Sequence, residues 1–127
     1  MPSRTEIREA AKAAFSDMGI SIFTGRTVRD TPPTYAVVQL ADVQSAPKYI
    51  SDDTSKEFTA QLQIVIYVRT DEDDSVLEDL ADQIETKITA SQSLNSLLDE
   101  LEYRGFEEVD DVQGYEPLAL IFDITYQ

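Results

Sequence analysis

The chain has 127 residues, of which 42% are hydrophobic, and it carries a formal net charge of −15. This length predicts one domain, residues 1–127, with a single core. The strong negative charge disfavours binding to nucleic acid or to an anionic membrane, since both would repel it. The sequence has no cysteine and no histidine. Disulfides and thiolate metal sites are therefore excluded, and the commonest general base and zinc ligand is missing.

The charge is distributed unevenly along the chain. Residues 1–48 carry six basic and five acidic side chains, a sum of +1, whereas residues 49–127 carry four basic and twenty acidic ones, a sum of −16. Most of these charges are expected to form an ordinary solvated surface. The asymmetry also suits a subunit that lines a channel or docks on a basic partner.

No segment is expected to enter a membrane or to direct secretion. The sequence has no run of about 18 apolar residues, the length that a membrane span needs. The N-terminal MPSRTEIREA lacks the apolar centre of a secretory signal. We therefore expect the protein to be made and used in the cytosol.

The first element in chain order is predicted to be a helix beginning after Ser3. Ser3 and Glu6 have the spacing of a capping box, in which each side chain satisfies a backbone N–H of the other. Apolar residues then recur at three- and four-residue steps, as on one face of a helix: Ile7, Ala10, Ala11, Ala14, Phe15 and Met18. Arg4, Arg8, Lys12 and Asp17 are predicted to face away from that stripe. Gly19 is expected to end the helix, because glycine readily takes positive φ.

Two strands are predicted next, at residues 20–24 and 34–43. Two prolines in the connecting segment remove backbone donors and stiffen the approach to the second strand. The same segment contains Arg26 and Arg29. These arginines could contact an acidic surface, including the acidic half of a neighbouring copy, although solvated arginines are the simpler interpretation.

The clearest strand covers residues 56–70, in which alternate positions from Phe58 to Val68 are apolar. At about 3.3 Å per residue it is longer than the core requires, so part of it is expected to project or to pair outside the main sheet. Val65 and Tyr67 lie on the opposite face. We therefore expect that face to be covered by a helix or by another subunit.

The segment between these two strands, residues 44–55, has turn chemistry and no clear period. It is predicted to be a mobile loop. If the strands pair as a hairpin, the loop forms its tip. Lys48, Tyr49 and Ile50 could then contact a partner.

Four consecutive carboxylates at residues 71–74 raise the question of a metal site, since hard cations favour oxygen ligands. The spacing does not fit an EF-hand loop starting at Asp71, because Val76 stands where glycine is needed and a strand precedes it. We predict no metal. Ser75 and Glu78 have capping-box spacing, and acidic groups are favourable at the start of a helix.

The second half is predicted to contain a helix at residues 76–90, with one apolar stripe, and a short connector at residues 91–98. A strand should follow at residues 100–109, with Gly105 marking an irregularity. After a turn, the closing strand covers residues 117–126. The fold class is therefore α/β (α+β), with a mixed or antiparallel sheet of about five strands and two main helices. The element order is α-β-β-β-α-β-β, and no repeat or linker divides it.

Four segments together suggest a family. They are the helix IREAAKAAF, the strand PPTYAVVQL, the long strand FTAQLQIVIYVR followed by LEDLADQIETKI, and the closing FEEVDDVQGYEPLALIFDITYQ. In the order of its elements and the spacing of its hydrophobic residues, the chain resembles the tail terminator proteins of long-tailed phages, the family of minor tail protein U. The resemblance spans almost the whole chain and implies a single tail-terminator-like domain.

The resemblance implies a structural subunit with no catalytic residues and no cofactor. Such subunits assemble into a ring, typically a hexamer, at the head-proximal end of the tail tube. The ring stops polymerisation of the major tail tube protein and presents a surface to head-completion or connector proteins. The resemblance therefore implies a virion protein that is made in the bacterial cytoplasm. DNA could pass through the lumen of the ring without sequence-specific binding.

The charge pattern is compatible with a ring. Ring subunits join through unlike faces, and the near-neutral and acidic halves could provide two of them. An acidic lumen would also keep DNA from adhering to the wall. The residues proposed for a subunit or tube interface are Arg26, Arg29, Lys48, Tyr49, Ile50, Val65, Tyr67 and Arg69.

Three other functions stay open. Another neck or head–tail connector component would differ only in its binding partner. A stand-alone acidic module that imitates DNA and occupies a basic protein would be a monomer or dimer, with no ring. An enzyme would have to use adjacent carboxylates such as Asp110 and Asp111, or the run at residues 71–74. No other reactive group converges on these carboxylates, so an enzyme is disfavoured.

Overall fold

A computed structural model describes residues 3–24, 34–49, 52–69, 74–109 and 114–127. The elements in chain order are α1 (Arg4–Ala14), a 3₁₀ turn (Ser16–Met18), β1 (Ser21–Phe23), β2 (Thr34–Tyr49), β3 (Asp52–Arg69), α2 (Asp74–Ala90), α3 (Gln92–Asn95), β4 (Glu100–Glu108) and β5 (Tyr115–Tyr126). The predicted order is confirmed, and α3 is the predicted short connector. Within these residues, no helix is both long and apolar enough to span a membrane.

The strands form one five-stranded mixed sheet in the order β1-β2-β3-β5-β4. β1 runs parallel to β2, and every other neighbouring pair is antiparallel. The long strand β3 is central, while β1 and β4 form the two edges. The predicted α+β domain with a mixed sheet is therefore confirmed.

Helix α1 begins as its capping box predicts. The Ser3 Oγ accepts a hydrogen bond from the Glu6 N–H at 3.1 Å, and the Glu6 Oε1 accepts one from the Ser3 N–H at 3.2 Å. Three residues of the predicted stripe are completely buried: Ile7, Ala11 and Phe15. The 3₁₀ turn separates the helix from Gly19, whose φ of 76° reverses the chain towards β1.

Both main helices pack on one face of the sheet, where the principal core lies. Five apolar residues of β3 face this core and are 6% exposed or less: Ala60, Leu62, Ile64, Ile66 and Val68. Burying each Leu, Ile or Val side chain contributes roughly 1.5–3 kcal/mol to stability. The predicted apolar face of the long strand is therefore confirmed.

Strands β2 and β3 form a longer hairpin than the sequence predicted. β2 continues to Tyr49 and β3 begins at Asp52. Most of residues 44–55 are therefore strand, and the prediction of a loop there was wrong. The register shifts between Ala41 and Gln44, where Asp42 has a φ of 53°. This bulge lets pairing continue past residues that carry no alternating apolar pattern.

The outer part of this hairpin projects beyond the main sheet. β5 pairs with β3 only from Phe58 onward, and β1 pairs with β2 only at residues 35–37. Within the described residues, positions 46–49 and 52–57 therefore pair only with each other. These two stretches are called the hairpin arm. The prediction that part of the long strand pairs outside the main sheet is confirmed.

The second half differs from the prediction mainly at the start of α2. The helix begins at Asp74, so Ser75 lies inside its first turn and not before it. Ser91 caps α3, where its Oγ accepts a hydrogen bond from the Leu94 N–H at 3.2 Å. In β4 the register shifts between Tyr103 and Gly105, which confirms the predicted irregularity.

Candidate functional site

An aromatic cluster occupies one end of the sheet face that is opposite the helices. Tyr35 on β2 and Tyr67 on β3 are direct cross-strand partners, and their stacked rings lie 4.6 Å apart. Tyr115 and Phe23 contact Tyr35 edge-on, with centroids 5.3 and 6.0 Å away. Four strands thus contribute one ring each. Such ring pairs contribute about 0.5–1.5 kcal/mol each beyond the area they bury.

Tyr35 and Tyr67 are packing groups with neutral side chains. Burial raises the pKa of Tyr35, and the neighbouring phenols of Tyr67 and Tyr115 raise it further. Burial also raises the pKa of Tyr67. Both phenols therefore stay protonated at physiological pH and bring no charge to this face.

A small apolar cluster adjoins the aromatic rings. Val65, Ala119 and Ile121 form it, with Tyr67 packed against them, and Val65 is only 4% exposed. All four residues belong to the sheet. We predicted that a helix or another subunit covers this face, and the described members of this cluster include no helix residue. Val65 leaves little surface for a second subunit to contact.

The same face becomes polar and then acidic towards the hairpin arm. The Gln39 Nε2 donates to the Gln63 Oε1 at 2.9 Å, and the Gln63 Nε2 donates to the Gln61 Oε1 at 3.2 Å. Beyond these amides, Arg104 contacts Asp123 at 3.1 Å and Glu102 at 3.3 Å. These ion pairs are exposed and contribute little to stability. This face therefore runs from aromatic at one end to charged at the other.

The described residues of the predicted interface lie in separate places. Arg26, Arg29 and Ile50 fall outside the described residues. Lys48 and Tyr49 end β2 in the hairpin arm, far along the hairpin from the main sheet. The structure does not bring Lys48 and Tyr49 to the aromatic cluster, because the arm and the cluster lie at opposite ends of β2 and β3.

The other three predicted residues lie near the end of β3 that is remote from the arm. Val65 and Tyr67 share the face opposite the helices, while Arg69 is exposed at the last position of the strand. Arg69 pairs through its backbone with Tyr115 of β5. The described residues of the predicted set therefore lie in two places, the hairpin arm and the end of β3 remote from it, and Tyr67 and Arg69 remain accessible at that end.

An open groove between α2 and the edge strand β4 was not predicted from the sequence. The groove measures about 570 Å³ and is lined by Leu77, Glu78, Ala81, Asp82, Phe106, Glu116 and Leu118. Phe106 is 64% exposed, the largest value among the large hydrophobic residues described. This α2–β4 groove therefore combines an apolar floor with three carboxylates. The available signal was Phe106 itself, an aromatic residue directly after the irregular Gly105.

The acidic side chains of α2 act electrostatically on β4. Burial raises the pKa of Tyr103, and the charges of Glu85 and Asp82 raise it further. Tyr103 packs against Phe122 with ring centroids 5.1 Å apart, on the helix side of the sheet. A negative field therefore extends from the helix towards the edge strand.

The carboxylates that were considered for metal or acid–base chemistry are only partly covered by the structure. Residues 71–73 and 110–111 lie outside the described ranges, and position 74 begins α2. Among the described residues, no group of three or more acidic side chains is placed to hold a metal ion. The described features are surfaces for packing and contact.

Comparison with known proteins identifies the family. The chain matches the family described as phage minor tail protein U over residues 2–126. A search of curated proteins gave no match. The family consists of structural, non-enzymatic tail proteins that terminate or complete the phage tail. Because the match covers nearly the whole chain, the protein belongs to the phage minor tail protein U family and is a component of the phage tail.

Proposed function

We propose that the protein forms a ring, in the simplest case a hexamer, at the head-proximal end of the tail tube. There it stops polymerisation of the major tail tube protein and presents a surface to the head-completion or connector protein. The observation that carries this proposal is the family match over residues 2–126. Each copy is made in the bacterial cytoplasm before it joins the virion.

Two features of the fold support a ring. The sheet has two different edges, the short β1 and the longer β4, so one copy offers unlike surfaces at its two sides. A contact between unlike surfaces repeats from copy to copy. It closes into a ring when the rotation between neighbouring copies equals a full turn divided by a whole number. The charge sums of +1 and −16 show that the two halves of the chain also differ in charge, as unlike surfaces of a ring subunit would.

The hairpin arm is the part that we assign to the tail tube. It projects from the sheet and ends next to Lys48 and Tyr49. Within the described residues, its two strands pair only with each other, so their outer backbone groups are free to pair with a partner strand. The arm can therefore contact the tube without disturbing the core.

An acidic lumen is part of the same proposal. A net charge of −15 per copy would repel the DNA that passes through the ring, which prevents sticking without any base-specific contact. Acidic residues confined to the outside of the assembled ring would remove this part of the proposal.

Light scattering coupled to size-exclusion chromatography tests the ring. A hexamer would have a mass of about 85 kDa, six times the 14.2 kDa of one copy. The protein should be measured alone and with purified tail tube protein, and tube lengths should be measured by electron microscopy. Tubes of limited length with the protein at one end support a terminator.

The two closest rivals give different results in the same experiment. Binding to a connector protein with no effect on tube growth would indicate another neck component. A monomer or dimer that ignores tubes and binds a basic protein would indicate a DNA-imitating module. Either outcome overturns the proposed function.

A further inference from the structure

The α2–β4 groove has a chemical complement on the same chain. Its lining includes the carboxylates Glu78, Asp82 and Glu116 around the exposed ring of Phe106. A good partner would supply positive charges together with aliphatic surface, because an exposed aromatic ring is covered well by the alkyl stems and cationic heads of Arg and Lys. Such a partner surface is found on α1.

Three basic residues form a stripe along α1. Arg4, Arg8 and Lys12 are four residues apart, so they lie along one side of the helix. Arg4 is exposed and the other two are half-buried. Lys87 and Arg104 have ion-pair partners, whereas in the described part of the chain none of the three stripe residues has one. The stripe is therefore available to an external acidic group.

The stripe and the groove lie near opposite edges of the sheet, on the face that carries both main helices. α1 packs on β2, next to the β1 edge, while the groove borders β4 at the other edge. Four strand spacings separate these edges, roughly 19 Å at about 4.8 Å per step. A stripe on one copy can therefore meet the groove of the next copy, and the contact joins unlike surfaces.

We propose that the basic stripe of α1 from one copy docks in the α2–β4 groove of the next copy. This inference rests on the proposed ring and specifies which surfaces close it. The charges of the stripe lie opposite the three carboxylates, and the alkyl stems cover Phe106. The contact is heterologous, so each copy uses its stripe on one side and its groove on the other.

A charge-swap experiment on the full chain tests this contact. Arg8→Glu places a negative charge in the stripe, and Asp82→Lys places a positive charge in the groove. Each change creates a like-charge contact, so we expect the concentration for half-assembly to rise at least about tenfold. The double variant restores attraction, and its half-assembly concentration should return close to that of the unmodified protein.

Two further variants sharpen the test. Asp79→Lys makes the same charge change on the same helix at a position outside the groove lining, and it should assemble like the unmodified protein. Phe106→Ser removes exposed apolar surface and should weaken assembly without lowering the melting temperature, since 64% of Phe106 is exposed already. Circular dichroism of every variant verifies that it is folded.

The outcomes separate this inference from the proposed function. If both single reversals assemble normally, or if folded double variants stay dissociated, the stripe and groove do not meet and the inference fails while the ring stands. If groove variants form rings but no longer cap tubes, a tail protein occupies the groove and a second copy does not. If the unmodified protein neither assembles nor caps tubes, the proposed function fails as well.

Discussion

Deleting residues 46–53 should remove the hairpin arm and leave the domain folded. The deletion joins Ser45 to Thr54, while the cross-strand pair between Ser45 and Phe58 remains. Residues 54–57 then form a four-residue connection, a common length for a hairpin. The core residues that the structure describes all lie outside the arm, so the deletion removes none of them.

The expected change in stability is small because two terms oppose each other. The deletion removes the three arm pairs Ala46↔Glu57, Pro47↔Lys56 and Tyr49↔Asp52, and each backbone hydrogen bond contributes a net of about 0.5–1.5 kcal/mol. It also removes the conformational-entropy cost of ordering the same segment, which opposes that loss. We expect the free energy of unfolding to change by less than ~1 kcal/mol, or roughly 4 °C in Tm.

Urea unfolding and tube-length measurements check both parts of this prediction. The shortened protein should unfold with nearly the original free energy but should no longer limit tube growth. Leu62→Ala, in the buried part of the same strand, is the matched control and should lose roughly 2–5 kcal/mol. A loss above ~2 kcal/mol in the shortened protein would show that the arm unfolds with the core. Normal capping by the shortened protein would show that the arm does not contact the tube.

Single substitutions give three further expected results. Ser3→Ala removes the hydroxyl that caps α1 and should lower the free energy of unfolding by about 1 kcal/mol in urea titrations, whereas Thr5→Ala in the same turn should have a smaller effect. Gly105→Ala should cost about 1–3 kcal/mol through backbone strain alone, because the φ is 105° and no atom lies within 4 Å of the new Cβ; unchanged stability would mean that the bulge relaxes. Burial raises the pKa of Tyr35 above its ordinary value of 10.0. The stability that this shift contributes is therefore fully present below pH 10.0, and it is lost as the pH rises through the folded-state pKa of Tyr35. Tyr35→Phe should therefore lose less stability than the unmodified protein when unfolding is measured above pH 10.0, and equal losses in both proteins would contradict this assignment.

The elements that could be predicted from sequence are those whose signals are local. The capping box at Ser3 and Glu6 specifies its own hydrogen bonds, so the start of α1 agrees with the structure. The alternation along β3 reflects burial against one layer of helices, which imposes a period of two on the residues that face the core. Gly105 signals a bulge because its freedom at positive φ is a property of the residue itself.

The hairpin arm could not be predicted in this way. Its strands pair only with each other within the described residues, so no layer imposes an apolar alternation on residues 46–49 and 52–57. Pro47 and the nearby serines and aspartates are common in turns. The strand conformation instead follows from continuing the β2–β3 pairing outward, which depends on contacts between residues distant in sequence.

The groove was missed for a topological reason. Phe106 is one position out of the alternation set by Leu101 and Tyr103, and the bulge at Gly105 returns it to their face, where a residue of a central strand would be buried. β4 is an edge strand, and the bulge at Gly105 alters the register just before Phe106. Edge position is decided by the order of strands in the sheet, which periodicity does not encode. The exposed ring is therefore visible only in the folded chain.

The residues that stabilise the core and the residues proposed to make assembly contacts lie in different parts of the same strands. In β3, positions from Phe58 onward pair on both sides and supply the core, whereas residues 52–57 pair only with β2 within the described part of the chain. In β4, Leu101 and Tyr103 pack against the core, whereas Phe106 remains exposed. Contacts made at the arm and the groove can therefore form or change without loss of core packing. This separation suits a subunit that must be folded before it assembles, because its contact surfaces do not depend on assembly for their structure.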